Sequence, residues 1–119
     1  MSLREKQTAF VWLIVDFLAW CRAFGYVVTL GEVYRTEEQQ KLYVQQGKSK
    51  TMNSKHRDRL AVDINLFTKD GQLAGPEDYR PLGEKWEQMG GKWGGRFGVA
   101  PVDYAMKIGW DSGHFEMGE

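Results

Sequence analysis

The chain has one cysteine, Cys21, in 119 residues, which excludes an internal disulfide framework. It has two histidines, His56 and His114, and three prolines. Neither charge is in excess, because sixteen Lys and Arg balance sixteen Asp and Glu. Nucleic-acid binders draw much of their affinity from neutralised phosphates and so favour a basic surplus. None exists here, and no nucleic acid is expected as a partner. No apolar run reaches the ~20 residues that a membrane-spanning helix needs. The longest, AFVWLIVDFLAWC at 9–21, is interrupted by Asp16. Mixed charges precede it in MSLREKQT, and no small-x-small cleavage site follows. The expectation is a protein that starts in the cytoplasm, with no export signal of its own and no stable membrane insertion.

What is present suits one core. The hydrophobic fraction is 42%, with five Trp and six Phe. A chain of this length buries roughly 65% of its unfolded surface, so it needs no staples. A single domain over 1–119 and a monomer are expected. Phe10, Ile14, Phe17, Cys21 and Phe24 recur at helical spacing, flanked by Val11, Leu13 and Leu18. They predict a core helix over about 3–24 that stops at Gly25, with Cys21 as a buried, inert thiol. The β-branched stretch 26–30 reads as a strand continuing toward Tyr34. Thr36 caps a second helix, with Gln39 completing a capping-box pattern and Gly47 ending it. A polar loop over 48–59 leads into a strand at 60–67. Lys69, Asp70 and Gly71 mark a hairpin returning through 72–74, and a third helix covers 79–89. Residues 90–119 are Gly-rich and aromatic, with short extended pieces. Helices and hairpins intermixed in this way favour an α+β fold over a doubly wound sheet.

Both histidines stand near carboxylates. His56 is followed by Asp63, and His114 is flanked by Asp111 and Glu116. A catalytic zinc takes three protein ligands, often imidazole and carboxylate, and leaves a fourth position to water. Two His and one Asp supply that set. Such an ion brings the pKa of its water toward ~7 and supplies a nucleophile at neutral pH. A general base is then needed, and Asp111 and Glu116 are both candidates. Spacing alone is weak support, since isolated histidines are commonly surface or satisfied core residues. The chain has no H-E-x-x-H and no C-x-x-C pattern.

Four segments carry a resemblance. Ser54-x-His56-x6-Asp63, with Ala61 two before the Asp, resembles the S-x-H-x-x-G-x-A-x-D signature of the M15 metallopeptidases. That group comprises D-alanyl-D-alanine carboxypeptidases and L-alanyl-D-glutamate endopeptidases. Asp111-x-x-His114, within W-D-x-x-H-F-E, resembles its second signature, in which the phage endolysin branch has Asp rather than Glu. Tyr34-Arg35-Thr36-x3-Gln40-x-Leu42-Tyr43 is similar to its R-T-x-x-x-Q-x-x-L-Y stretch, and Trp93-Gly94-Gly95-Arg96-Phe97 to its W-G-G-x-[WF] turn. The pieces come in the family's order over about 26–116. One departure stands out: Arg59 occupies the usual Gly position, which puts the shape of that loop in question.

The resemblance implies a small antiparallel sheet flanked by helices, Hedgehog/DD-peptidase-like. It implies Zn2+ as cofactor, held by His56, Asp63 and His114, and Asp111 as the base that serves first the attacking water and then the leaving amine. On the residues alone Glu116 is the rival base, because it alternates with His114 along a strand; on the resemblance it orients a ligand. Arg35 would face the cleft and clamp a substrate carboxylate with two parallel hydrogen bonds, or stabilise an oxyanion. An ion pair with Glu37 or Glu38 is the plainer role. Ser54 would contact the metal region or the substrate, or simply form a turn, while Gln40 packs or bonds inside the fold. Of Trp86, Trp93, Phe97 and Trp110, one or two are expected in the cleft and the rest in the core. Arg57 and Arg59 read as solvated.

The implied function is a zinc-dependent peptidase acting on the peptidoglycan stem peptide at the L-alanyl-D-glutamate bond. The implied setting is an endolysin that waits in the cytoplasm until it is released to the wall of a Gram-negative host. The alternatives are a D-alanyl-D-alanine carboxypeptidase and a catalytically inactive wall-binding module of the same fold. A metal-dependent nuclease is disfavoured by the balanced charge.

Overall fold

A computed structural model describes residues 1–49 and 54–118. The polar stretch expected over 48–59 therefore lies partly outside the described residues. Helix α1 (Leu3–Ala23) opens at Ser2, whose hydroxyl accepts from the Glu5 N–H while Glu5 reaches back to the Ser2 N–H, a complete capping box. It ends at Gly25, which takes the left-handed conformation (φ 78°). Phe10, Phe17 and Cys21 are buried as the spacing predicts, but Phe24 is 68% exposed. Phe24 is the helix cap, beyond the last core-facing turn, and its ring packs on Trp20. Burial pushes the Cys21 thiol up to about 11, so it stays protonated and inert. No helix among the described residues is long and apolar enough to cross a membrane.

Strand β1 (Val27–Leu30) is followed by α2 (Glu37–Gln45), capped by the Thr36 hydroxyl accepting from the Gln39 N–H. Where a loop is predicted, Lys55–Asp58 forms a 3-10 turn with Ser54 as its cap. Strand β2 (Ala61–Phe67) is the centre of the fold. The hairpin return is a single bridge between Phe67 and Leu73 rather than a strand. The third helix, α3, runs Arg80–Gln88, close to the expected 79–89, and is preceded by a 3-10 turn over Pro76–Tyr79 with Pro first. Two short strands, β3 (Lys92–Trp93) and β4 (His114–Glu116), complete a four-stranded antiparallel sheet in the order β1-β2-β4-β3. The architecture is α+β, as expected from the sequence.

Alternation along β2 decides where the site lies. Successive side chains point to opposite faces of a sheet. Val62, Ile64 and Leu66 enter a core built with Phe10, Phe17, Leu82, Trp86, Trp93 and Phe115. Phe17 and Trp86 rings meet edge to face at 5.2 Å, and Phe17 packs on Phe115 at the same centroid distance. Helices α1 and α3 thus cover one face. Asp63 falls on the other, directly opposite His114 across the β2–β4 pair, while Val62 pairs Phe115 on the core side. Beyond the short β2–β4 ladder the Tyr79 hydroxyl takes over: it accepts from the Leu66 N–H (2.9 Å) and donates to the Ile64 carbonyl (3.1 Å).

Candidate active site

The face away from α1 and α3 carries a cleft of about 600 Å³. At its floor three atoms converge. His56 Nε2 lies 3.1 Å from Asp63 Oδ1, and His114 Nδ1 lies 3.2 Å from His56 Nε2 and 3.4 Å from Asp63 Oδ1. Both imidazoles are buried, at 1% and 5% exposure.

Hydrogen bonds on the far side of each ring set which nitrogen faces the cluster. The Val33 carbonyl, 3.0 Å from His56 Nδ1, can only accept, so Nδ1 carries the proton and Nε2 turns its lone pair inward. For His114, Nε2 donates to Glu116 Oε1 at 2.8 Å and Nδ1 faces inward. Three lone-pair-bearing atoms at these separations repel unless a proton or a cation lies among them. About 3.3 Å is also the edge of a tetrahedron whose centre is ~2.0 Å from N and O ligands, the zinc distance. The donor set and its spacing fit a divalent transition metal. The outer partners, Val33 and Glu116, are the kind that orient such ligands.

Asp111 stands beside the cluster, its Oδ2 3.7 Å from His114 Nδ1. Burial, with the Asp63 charge adding to it, raises its carboxyl above the usual range against the pull of His114. Glu116 is on the other side of the His114 ring. The turn that holds Asp111 and His114 rests on Gly94: the Asp111 N–H donates to the Gly94 carbonyl at 3.3 Å, and a Cβ on Gly94 would lie 2.0 Å from the Asp111 carbonyl oxygen. Beneath it the Trp93 indole N–H donates to the Ser112 carbonyl (2.7 Å).

Arg35 lines the cleft, but most of its fork is used within the protein. Nε donates to Glu32, not to Glu37 or Glu38, and Nη1 donates to Gln40 Oε1 (2.8 Å) and Ser54 Oγ (3.4 Å). That leaves Nη2 for a ligand, in place of the two-pronged clamp expected. Ser54 does form a turn, its hydroxyl also accepting from the His56 N–H (3.2 Å). Gln40 is fully buried and bonds Ser49 (2.8 Å) as well. Phe97 and Trp110 line the cleft, with ring centroids 5.4 Å apart, whereas Trp86 and Trp93 belong to the core. Arg57 is half-buried, whereas Arg59 is exposed as expected, with its guanidinium stacked over Tyr34 at 4.0 Å. Arg59 is the described non-glycine residue with positive φ (57°), the conformation that a Gly at this position supplies without strain.

Sequence reasoning passed over Glu32, Tyr43, Lys48 and Lys55, all of which line the cleft. Glu32 accepts from the Tyr43 hydroxyl (3.2 Å) as well as from Arg35. Tyr43 lies in the same upstream R-T-x-x-x-Q-x-x-L-Y stretch as Arg35, the one signal that pointed there.

The cleft thus brings together a His-Asp-His cluster, with both imidazoles buried, and a raised carboxyl beside it. The model of a family described as D-alanyl-D-alanine carboxypeptidase matches residues 47–117, and the chain belongs to that M15 metallopeptidase family. It is a peptidase of the class that acts on peptidoglycan. Similar solved structures share the fold. The Serratia marcescens L-Ala D-Glu endopeptidase ChiX is 20% identical, with a TM-score of 0.70 over 92% of this chain and 78% of that one. A mutant of the vancomycin-resistance D,D-pentapeptidase VanY, in complex with Zn(II), is 24% identical, with a TM-score of 0.61 over 92% and 70%. VanYB in complex with D-alanine-D-alanine is 22% identical, with a TM-score of 0.63 over 93% and 70%. Comparison with curated proteins finds no significant match.

Proposed function

We propose that the protein hydrolyses the L-alanyl-D-glutamate bond of the peptidoglycan stem peptide, as a single peptidase domain over 1–119 with zinc held by His56, Asp63 and His114. The observation that carries this reading is the triangle of His56 Nε2, Asp63 Oδ1 and His114 Nδ1 on the cleft floor, with the Asp111 carboxylate beside it. A zinc ion there supplies Lewis acidity and lowers the pKa of water to about 7.

Asp111 Oδ2, 3.7 Å from His114 Nδ1, accepts the proton of the attacking water and returns it to the leaving amine. Glu116 fixes the His114 ring through Nε2 and takes no proton from substrate. Arg35 Nη2 donates to a substrate carboxylate, while Glu32 and Gln40 hold the rest of the guanidinium still. Ser54 braces both Arg35 and the His56 turn.

The choice of bond is supported by Asp rather than Glu at position 111, which resembles the endolysin branch. In this reading the enzyme is bacteriolytic, reaches the wall after release from the cytoplasm, and serves a bacteriophage. The description of the matching family favours one alternative, trimming of a terminal D-alanine.

Digestion of purified Gram-negative peptidoglycan with and without a chelator, read by mass spectrometry, tests the proposal. New D-glutamyl amino termini that vanish with chelator and return with zinc are expected. Release of single alanines would replace this reading with the carboxypeptidase. An unchanged digest from folded, zinc-loaded protein would overturn both.

A further inference from the structure

The cleft divides chemically around its floor. Phe97 sits on the His114 side, its ring 5.5 Å from that imidazole, and Trp110 packs on Phe97. The His56 side is basic. Arg35 is tied there through its N–H to the His56 carbonyl (3.0 Å), and Lys55 is the residue before His56. Lys48, in the turn that closes α2, lines the same cleft.

The acidic lining is accounted for. Glu32 holds Arg35 and Tyr43, Asp63 and Glu116 bind the two imidazoles, and Asp111 lies beside His114. Lys48 and Lys55 are different. Neither has an ion-pair partner among the described residues, and Lys55 is half-buried. Lys48 is exposed, and no carboxylate among the described residues pairs with either lysine on the His56 side of the cleft. Arg35, with only Nη2 left, can serve one carboxylate; the two lysines can serve another.

We propose that Lys48 and Lys55 form a second anionic subsite that reads a further carboxylate of the bound peptide, so that the preferred substrate is a stem peptide carrying at least two free carboxylates. This rests on the stem-peptide reading above. The lysines are specificity-determining and take no part in bond cleavage.

The test uses a synthetic acidic stem tetrapeptide and its counterpart amidated at the side-chain carboxylate of the residue after glutamate. Each is titrated into zinc-loaded Asp111→Asn protein by calorimetry, with and without Lys48→Gln and Lys55→Gln. Parent protein is expected to bind the free acid roughly five- to tenfold more tightly than the amide, a preference that weakens with salt. The lysine variants should bind both peptides like the amide, and Lys55→Arg should restore the difference. Zinc content of each variant confirms that the floor of the cleft is intact. Equal binding of the two peptides by the parent protein, or a preference that survives loss of both lysines, would overturn the subsite. Turnover with Asp111 restored separates the two readings: carboxylate-dependent binding without cleavage sinks the enzyme and leaves the subsite, and cleavage without carboxylate preference does the reverse. Binding of neither peptide sinks both.

Discussion

His56 and His114 present opposite ring nitrogens to one point, Nε2 from the first and Nδ1 from the second, 3.2 Å apart. The difference follows from their supports. His56 sits on a 3-10 turn with Nδ1 held by the Val33 carbonyl, and His114 on a strand with Nε2 held by Glu116 two residues on. Glu116→Ala should therefore leave the fold intact and weaken zinc binding about ten- to a hundredfold. Competition against a chromophoric chelator measures it, and an unchanged affinity would show that the ring is held without Glu116.

Replacing Asp111 should separate chemistry from metal binding. Asp111→Asn is expected to keep a full complement of zinc while kcat falls about 10²- to 10⁴-fold. Loss of metal in this variant, or a rate near that of the parent, would move the base elsewhere, with Glu116 next in line.

Metal-free protein should show a pH dependence set by the same cluster. Burial disfavours charge on His114, yet its hydrogen bonds to Asp63 and Glu116 win and raise it from 6.5 to about 9. Burial likewise opposes charge on Asp63, but His114 and His56 lower it from 3.8 to about 2. A raised folded-state pKa stabilises below its unfolded value and is lost as pH climbs through the folded one; a lowered carboxyl is the mirror case. Chelator-treated protein should thus lose Tm progressively between pH 6.5 and 9, and again as pH falls from 3.8 toward 2. Zinc should flatten the alkaline limb, because a cation replaces the proton on His114. A Tm of metal-free protein that stays level to pH 9 would contradict the cluster's electrostatics.

Gly94→Ala inserts a methyl where the Asp111 carbonyl already sits, 2.0 Å from the new carbon. Backbone must move, at a cost of about 1–3 kcal/mol in chemical denaturation. Asp111 moves with it, so kcat should fall even at temperatures where the variant is fully folded. Unchanged kinetics would mean that the turn relaxes away from the site.

At position 59, strain and stacking oppose each other. A left-handed residue other than Gly costs about 1–2 kcal/mol, and an exposed cation over a Tyr ring returns about 0.5–1. Arg59→Ala keeps the strain and loses the stack, so about 0.5–1 kcal/mol of stability should go. Arg59→Gly removes both and adds chain entropy to the unfolded state, leaving stability within ~0.5 kcal/mol of the parent. Denaturant midpoints of the two variants decide it.

Some of this was determined by sequence alone, because it depends on neighbours along the chain. The apolar period of α1, its stop at Gly25 and the Thr36 cap are local, and local signals fix helix existence and ends. The ordered segments around His56, Asp63, Asp111 and His114 marked the family, and Arg59 already stood out at a glycine position. Tertiary structure decided the rest. The register that sets Asp63 against His114 comes from pairing strands some fifty residues apart in sequence, and that pairing sends Val62 and Phe115 to the core and the metal-binding set to the opposite face. Spacing could not say which carboxylate flanks the cluster and which braces a ring, since both lie within three residues of His114. Nor could it show that Glu32 occupies Arg35, or that Lys48 and Lys55 meet in one cleft. The first is a contact between side chains and the second a shared cleft wall, and both exist only once the chain has closed on itself.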